Sequence, residues 1–375
     1  MNSPHRLSRR EFVGQLSVAA AAALTLPRGL RGAVGAAGSG KKLGVALLGL
    51  GSYAQHQLAT ALQVTQHCRL AAAISGTPAK LEAWQARYAL PARSVYSYEN
   101  FDRIADNPDV DIVYVVTPPS THRGFVERAA KAGKHVICEK PMATNVEDCD
   151  AMIAACRQAG KKLSIGYRLE FEPHHIEMER LARDPAFGPF TKMRGGFGFR
   201  MGDGRPWRLV KELAGGGPLP DVGVYVIQAG CRAAGDVAPV AVTARELPKT
   251  RPETFSEVEE TITWTMEFAS GATCDGWASY NDHQNFFRAE NSTGAKWVEL
   301  KPAYSYGGLK GETHAGPLGL QNINQQAAQM DDFARCVSEN RDTPVPGEMG
   351  RRDVAIVEAI YASAAAGGKR VAVQA

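Results

Sequence analysis

Residues 43–54, Leu-Gly-Val-Ala-Leu-Leu-Gly-Leu-Gly-Ser-Tyr-Ala, run from a continuous apolar stretch into a glycine turn. Leu43 to Leu48 reads as a strand buried on both faces, and Gln55 to Val64 behind it has helical period. In that frame Gly49 permits a tight turn, Gly51 lets the backbone approach a pyrophosphate, and Ala54 allows close helix packing. Ser52 and Tyr53 complete the turn, and the helix N-terminus offers N–H groups and a positive dipole end to phosphates. G-x-G-x-x-A is weak alone and gains force from its place between strand and helix.

Outward from this turn the pattern repeats. Leu70 to Ile74, Val110 to Val116 and His135 to Cys138 are apolar strands, with helical stretches at Ala79 to Tyr88, Thr121 to Ala132 and Val146 to Ala159. Strand and helix in alternation predict a parallel sheet covered on both faces. After about Gly160 the grammar changes. Thr261 to Phe268 alternates strictly, with Ile262, Trp264, Met266 and Phe268 on one face and threonines on the other. Thr191 to Phe199, Val240 to Glu246 and Ala272 to Tyr280 look like its antiparallel partners, and Gln325 to Val337 and Asp353 to Ala364 read as closing helices. The expected fold is α/β: a Rossmann dinucleotide-binding domain over residues 42–163, then an α+β domain over 164–375 with a large open, mainly antiparallel sheet.

Residues 1–40 differ in kind. Ser8-Arg9-Arg10-Glu11-Phe12-Val13 followed by the Ala-rich stretch Leu16 to Leu26 has the parts of a twin-arginine export signal, and the apolar run is too short for a membrane span. The expectation is a protein exported folded to the periplasm, with no membrane partner. Seven scattered cysteines without a C-x-x-C pair read as buried small hydrophobes. A net charge of +4 without a basic stripe sets nucleic acid aside.

The end of the second strand selects the dinucleotide. An NAD site usually places a carboxylate there, but this chain has Ile74-Ser75-Gly76-Thr77-Pro78-Ala79-Lys80. Small hydroxyls and a lysine suit a 2′-phosphate and favour NADP; the other reading makes Lys80 a solvated helix residue. Thr117-Pro118-Pro119-Ser120-Thr121-His122 and Cys138-Glu139-Lys140-Pro141 follow the third and fourth strands, at the edge where ligands of such sheets sit. Farther on, Trp207-Arg208-Leu209 precedes the glycine-rich run Gly215 to Gly217, which leads to Asp221 and Tyr225, four apart and so on one helical face. A tyrosine serves as a base near neutral pH only beside a cation. The reading that joins them has Tyr225 shuttle a hydroxyl proton, Lys140 lower its pKa and Asp221 orient it.

From about Lys42 onward the chain resembles the glucose–fructose oxidoreductase family, a branch of the Gfo/Idh/MocA oxidoreductases that also holds aldose–aldose oxidoreductases. The resemblance rests on the glycine motif, Glu139-Lys140-Pro141, Ile165-Gly166-Tyr167-Arg168, Trp207-Arg208-Leu209 and the Gly215 to Tyr225 stretch. Tyr225 is the more telling residue, since most of the wider group carries histidine there. The resemblance implies a ping-pong cycle: bound NADP takes hydride from C1 of an aldose to give a lactone, and the NADPH reduces a second sugar to an alditol. It also implies that Ser75, Gly76, Lys80, Tyr98, Thr117, Pro118, Ser120, His122, Glu139, Trp207 and Arg208 serve the cofactor, and that Arg168 and Asp221 hold sugar hydroxyls, with Arg168 and Lys140 shared between the two. A homodimer or homotetramer is the implied assembly. This chain departs by having only a short Gly/Ala stretch in place of a proline-rich arm after the signal, which tilts the reading toward the aldose–aldose type.

Rival readings remain beside it: an aldose dehydrogenase that releases NADPH, an exported NAD-dependent glycosidase, and a non-catalytic sugar-binding protein. Glu170, Glu172, His174, His175 and Glu177 tempt a metal assignment, but adjacent histidines cannot both face one ion from a regular helix, so no metal is expected and a solvated helix start is the alternative.

Overall fold

β1 (Leu43–Leu48) is the centre of the first sheet, buried from Gly44 onward. It pairs in parallel with β2 (Cys68–Ile74) on one side, and with the strand Ile112–Val115 on the other. With β3 (Val95–Tyr96), β4 (Ile112–Val115), β5 (His135–Cys138) and β6 (Leu163–Ile165), the six strands order as β3-β2-β1-β4-β5-β6. The order reverses between β1 and β4, so the loops at their carboxyl ends part there and leave a crevice. The computed structural model describes residues 41–202, 204 and 206–374; the export signal and linker expected at residues 1–40 lie outside the described residues.

Helices Pro78–Tyr88, His122–Lys131 and Val146–Gln158 cover the sheet where the periodicity expects them. The helix behind the glycine turn is wound differently: Ala54–Leu58 is a π-helical turn, followed by Ala59–Ala61 as α. In this sheet the two strands the sequence reading passed over are the short edge pieces β3 and β6, with two and three residues. Too few side chains alternate or cluster there for a pattern to register.

The second sheet has nine strands: β7 (Phe190–Gly198), β8 (Ala241–Glu246), β9 (Thr261–Glu267), β10 (Thr273–Ser279), β11 (Gln284–Asn291), β12 (Trp297–Leu300), β13 (Gly311–Thr313), β14 (Gly316–Pro317) and β15 (Val371–Ala372). Their order is β14-β13-β12-β11-β7-β10-β9-β8-β15. β9 pairs antiparallel with β8 and β10 as its alternation predicts, but β7 and β10 run parallel, so the sheet is mixed. Helices Val224–Ala233 and Gly347–Ala365 lie on its inner face, the first buried along its whole length.

The two sheets do not divide the chain cleanly at residue 163. β6 runs on to Ile165 and its backbone is tied to Val345. The helix Gln325–Ser338 returns to the first sheet, where Met330, Phe333 and Cys336 join Val45, Leu47, Ile112 and Tyr114 in one core. All seven cysteines are free and buried, and burial raises their thiols.

One packing detail carries the second sheet to the Val224–Ala233 helix. Gly276 of β10 stands opposite Trp264 of β9, and a Cβ on Gly276 would lie 2.0 Å from the indole. The far edge of that indole reaches the helix entry, where a Cβ on Gly223 would meet it at 3.1 Å. Overpacking of this kind cannot relax into a buried ring without moving it. Gly276→Ala is expected to lower stability by about 1–3 kcal/mol and to reduce turnover by displacing the helix entry, which denaturant unfolding and steady-state assays would read together.

Candidate active site

At the exit of β1, Gly49 has φ +101°, and a Cβ there would stand 2.6 Å from the Val116 carbonyl, so the tight turn needs glycine at this position. Gly51 has open space where a side chain would project, and Ser52 is exposed beside it. At the exit of β2, Ser75 is buried and its Oγ accepts from Thr77 N at 3.1 Å, while Gly76 and Lys80 are exposed. A Cβ on Gly76 would stand 2.8 Å from the Tyr98 ring, so the ring lies over a position that needs glycine. No carboxylate lies among residues 75–80. Glycine turn, small hydroxyls and lysine thus line the mouth of the crevice, in keeping with a dinucleotide that bears a 2′-phosphate.

Two expected cofactor residues turn away from that mouth. His122 is buried, with Nε2 2.8 Å from Thr117 O and Nδ1 3.1 Å from Met142 O, so it ties the loops after β4 and β5 together. Burial lowers its pKa and favours the neutral ring. Glu139 is buried too; its carboxylate accepts from the Tyr114 hydroxyl at 2.7 Å, and Tyr114 accepts from Gln329 Nε2 at 2.9 Å. Burial raises the Glu139 carboxyl, and the hydrogen bond from Tyr114 works against that rise. Both residues hold the loop that carries Lys140. Thr117 and Thr121 share a hydroxyl–hydroxyl bond of 2.7 Å, with Pro118 and Ser120 in the same short turn.

The Lys140 ammonium leaves this loop toward the second half of the chain. Nζ donates to Asp221 O at 2.6 Å and to Asp221 Oδ1 at 3.3 Å, and stands 4.8 Å from the centre of the Tyr225 ring. The other carboxylate oxygen, Oδ2, accepts from Arg208 Nε at 3.0 Å and from the Tyr280 hydroxyl at 2.8 Å. Burial alone would raise this carboxyl, but Lys140, Arg208 and Tyr280 hold it at about 2. Arg208 lies over its neighbour Trp207 at 4.5 Å.

The sequence predicts Asp221 and Tyr225 on one face of a regular helix. Instead Leu219–Gly223 forms a π-helical turn and the α-helix begins at Val224, so Lys140 meets the Asp221 side chain and the Tyr225 ring across a widened turn. What holds this entry is Glu259, which no local motif marks. Its buried carboxylate accepts from Gly217 N at 2.9 Å, Leu219 N at 3.0 Å and the Tyr361 hydroxyl at 2.8 Å. Tyr361 and the Glu259 backbone come so near that a Cβ on Gly216 or Gly217 would lie within 2.4 Å of them, which accounts for the glycine run.

Arg168, expected to hold sugar hydroxyls, is 1% exposed. Its guanidinium donates to Ser305 O at 3.1 Å, to Tyr304 O at 2.5 Å and to Gln325 Oε1. It is sandwiched between the rings of Tyr225 at 5.1 Å and Tyr306 at 4.5 Å. Its place is behind Tyr225, as a fixed positive charge. The Glu172 cluster is a buried helix start and not a solvated one: Glu172 accepts from His174 N, His175 N and His174 Nδ1, while His175 Nε2 faces Ala303 O at 2.8 Å. Tyr280, Glu259, Tyr304 and Tyr306 escaped sequence reading because isolated polar or aromatic residues carry no local signal.

With its folded pKa depressed from the ordinary 3.8 to about 2, Asp221 contributes stability in full above 3.8 and loses it as pH falls through about 2. Asp221→Asn should therefore cost about 3 kcal/mol at neutral pH by stranding two cations, with the gap to wild type narrowing below pH 3.8 in denaturant titrations. Turnover should fall by about a hundredfold.

Comparison with known proteins places this geometry. Residues 43–167 match the oxidoreductase family described as NAD-binding Rossmann fold, and residues 175–293 match the GFO/IDH/MocA C-terminal domain. The chain is similar to an aldose–aldose oxidoreductase from Caulobacter crescentus, crystallised with glycerol, at 45% identity and a TM-score of 0.85, over 89% of this chain and 100% of that one. It is 27% identical over 326 residues to D-xylose 1-dehydrogenase [NADP(+)] of Haloarcula marismortui, covering 84% of this chain and 89% of that protein. A levoglucosan dehydrogenase, solved with NADH and levoglucosan, shares the fold at a TM-score of 0.75 and 21% identity, over 89% of this chain and 100% of its own.

Proposed function

We propose that this chain, which belongs to the GFO/IDH/MocA oxidoreductase family, is a sugar oxidoreductase that moves hydride between aldoses through a retained NADP. The observation that carries the reading is the Lys140–Asp221–Tyr225 constellation at the carboxyl edge of a dinucleotide-binding sheet, in a chain that covers the whole of an aldose–aldose oxidoreductase at 45% identity. The cofactor is NADP, supported by the carboxylate-free exit of β2, by Lys80, and by the NADP named in the xylose dehydrogenase relatives.

When bound, the nicotinamide accepts or returns the hydride. The protein's own residues manage the proton and the orientation. Tyr225 takes the C1-hydroxyl proton as hydride leaves C1 of the first aldose, giving a lactone, and returns a proton to the second sugar as an alditol forms. Lys140 and Arg168 set positive charge on two sides of the Tyr225 ring, where negative charge develops during transfer. Asp221, saturated by three donors, fixes the Lys140 ammonium and so acts as a positioning residue. The same reading has the enzyme exported folded to the periplasm, supported by Arg9 and Arg10, and assembled as a homodimer or homotetramer, supported by the half-exposed face of β9 that carries Thr261, Thr263 and Thr265.

The whole-length likeness to D-xylose 1-dehydrogenase [NADP(+)] favours a second reading, an aldose dehydrogenase that exchanges NADP with solution. Identifying the dinucleotide released from denatured protein, before and after glucose, separates the two. NADP in one-to-one ratio that becomes NADPH in place, and reverts with a second sugar, supports the self-contained cycle. An empty protein needing added NADP makes it a dehydrogenase, and bound NAD turns the reading to a glycosidase. Tyr225→Phe should retain fold and dinucleotide while losing about a hundredfold or more in turnover; full activity in that variant would remove the proton-transfer role.

A further inference from the structure

Tyr306 is 50% exposed, and among the described residues no other Phe, Tyr or Trp stands so open to solvent. Leaving such a ring in water contributes little to folding, yet the loop that carries it is tied down on every side. Asn285 Oδ1 accepts from Ala303 N and Tyr304 N, each at 2.8 Å, and Asn285 Nδ2 donates to Ser305 Oγ at 3.1 Å. Arg168 donates to the carbonyls of Tyr304 and Ser305 from the other side. The ring is therefore held in place while half of it stays open.

Its surroundings locate it. The Arg168 guanidinium lies 4.5 Å from its centre, and the same guanidinium lies 5.1 Å from the Tyr225 ring. Tyr53, from the glycine turn after β1, stands 5.8 Å away, centre to centre. Tyr306 thus sits between the dinucleotide turn and the proton-transfer tyrosine. With a cation against the ring on one side, what remains is an aromatic surface at the mouth of the site. A pyranose presents a face of C–H groups, weakly positive at their hydrogens, which suits the negative face of an aromatic ring.

We infer that the Tyr306 ring is the platform on which the sugar lays its apolar face, making Tyr306 a residue that determines substrate affinity and selectivity at this site. The inference rests on the sugar oxidoreductase reading above and deepens it. It assigns Tyr306 to binding alone: Arg168 and Lys140 stay in place when the ring is removed, so the maximal rate of cofactor reduction is preserved.

The test measures reduction of the protein's dinucleotide against aldose concentration, in a single turnover, for wild type, Tyr306→Phe and Tyr306→Ala. Tyr306→Ala should raise the half-saturating aldose concentration by about tenfold, and Tyr306→Phe by no more than about twofold, because phenylalanine keeps the platform. Maximal rate, melting temperature and dinucleotide content should stay near wild type in both. Unchanged half-saturation in Tyr306→Ala, with wild type active, overturns this inference alone. Loss of dinucleotide or of maximal rate without a change in half-saturation also overturns it, since the ring would then serve the cofactor or Arg168. A wild-type protein whose dinucleotide no aldose reduces overturns the sugar reading and the platform with it.

Discussion

The Asp221 carboxylate receives hydrogen bonds from three separate parts of the chain: Lys140 after β5, Arg208 from the Trp207–Leu209 turn and Tyr280 after β10. Two cations and a buried hydroxyl surround one carboxylate, which without them would be a buried charge lacking its counterpart. The arrangement binds the first sheet to the second at the point where the crevice opens. It also explains why the ammonium beside Tyr225 is fixed in direction, since both of its Asp221 contacts pull it to the same turn.

That turn is supported from below by a buried carboxylate and by packing. Glu259 satisfies backbone donors that the π-helical entry leaves free, and Trp264 fills the space between Gly276 and Gly223. A glycine run and a strand glycine that look like loop punctuation are sites where a carboxylate, a phenol and an indole press against the backbone. The fit of these rings sets where Tyr225 stands relative to β5.

The residues singled out in the sequence differ in burial. Gly51, Ser52, Gly76 and Lys80 are exposed at the mouth, whereas His122, Glu139 and Arg168 are buried beneath it and hold the loops and charges that the mouth depends on. A polar side chain at the carboxyl edge of a parallel sheet is read the same way in sequence whichever direction it points. Direction is decided by which buried carbonyls or hydroxyls need a partner, and those come from Met142, Tyr114, Tyr304 and Ser305, none of them a motif residue.

The sequence by itself determined the alternating strands and helices of residues 43–158, the strict period of β9, the glycine turn and the residue types Lys140, Asp221 and Tyr225, because each is written in neighbours a few positions apart. Tertiary structure decided the rest. The return of Gln325–Ser338 to the first sheet, the parallel pairing of β7 with β10, the burial of Arg168 and the convergence of Tyr280 and Tyr306 on the site all depend on contacts between distant segments. Local periodicity records which face of an element is apolar; it holds no record of which distant polar group that element must satisfy.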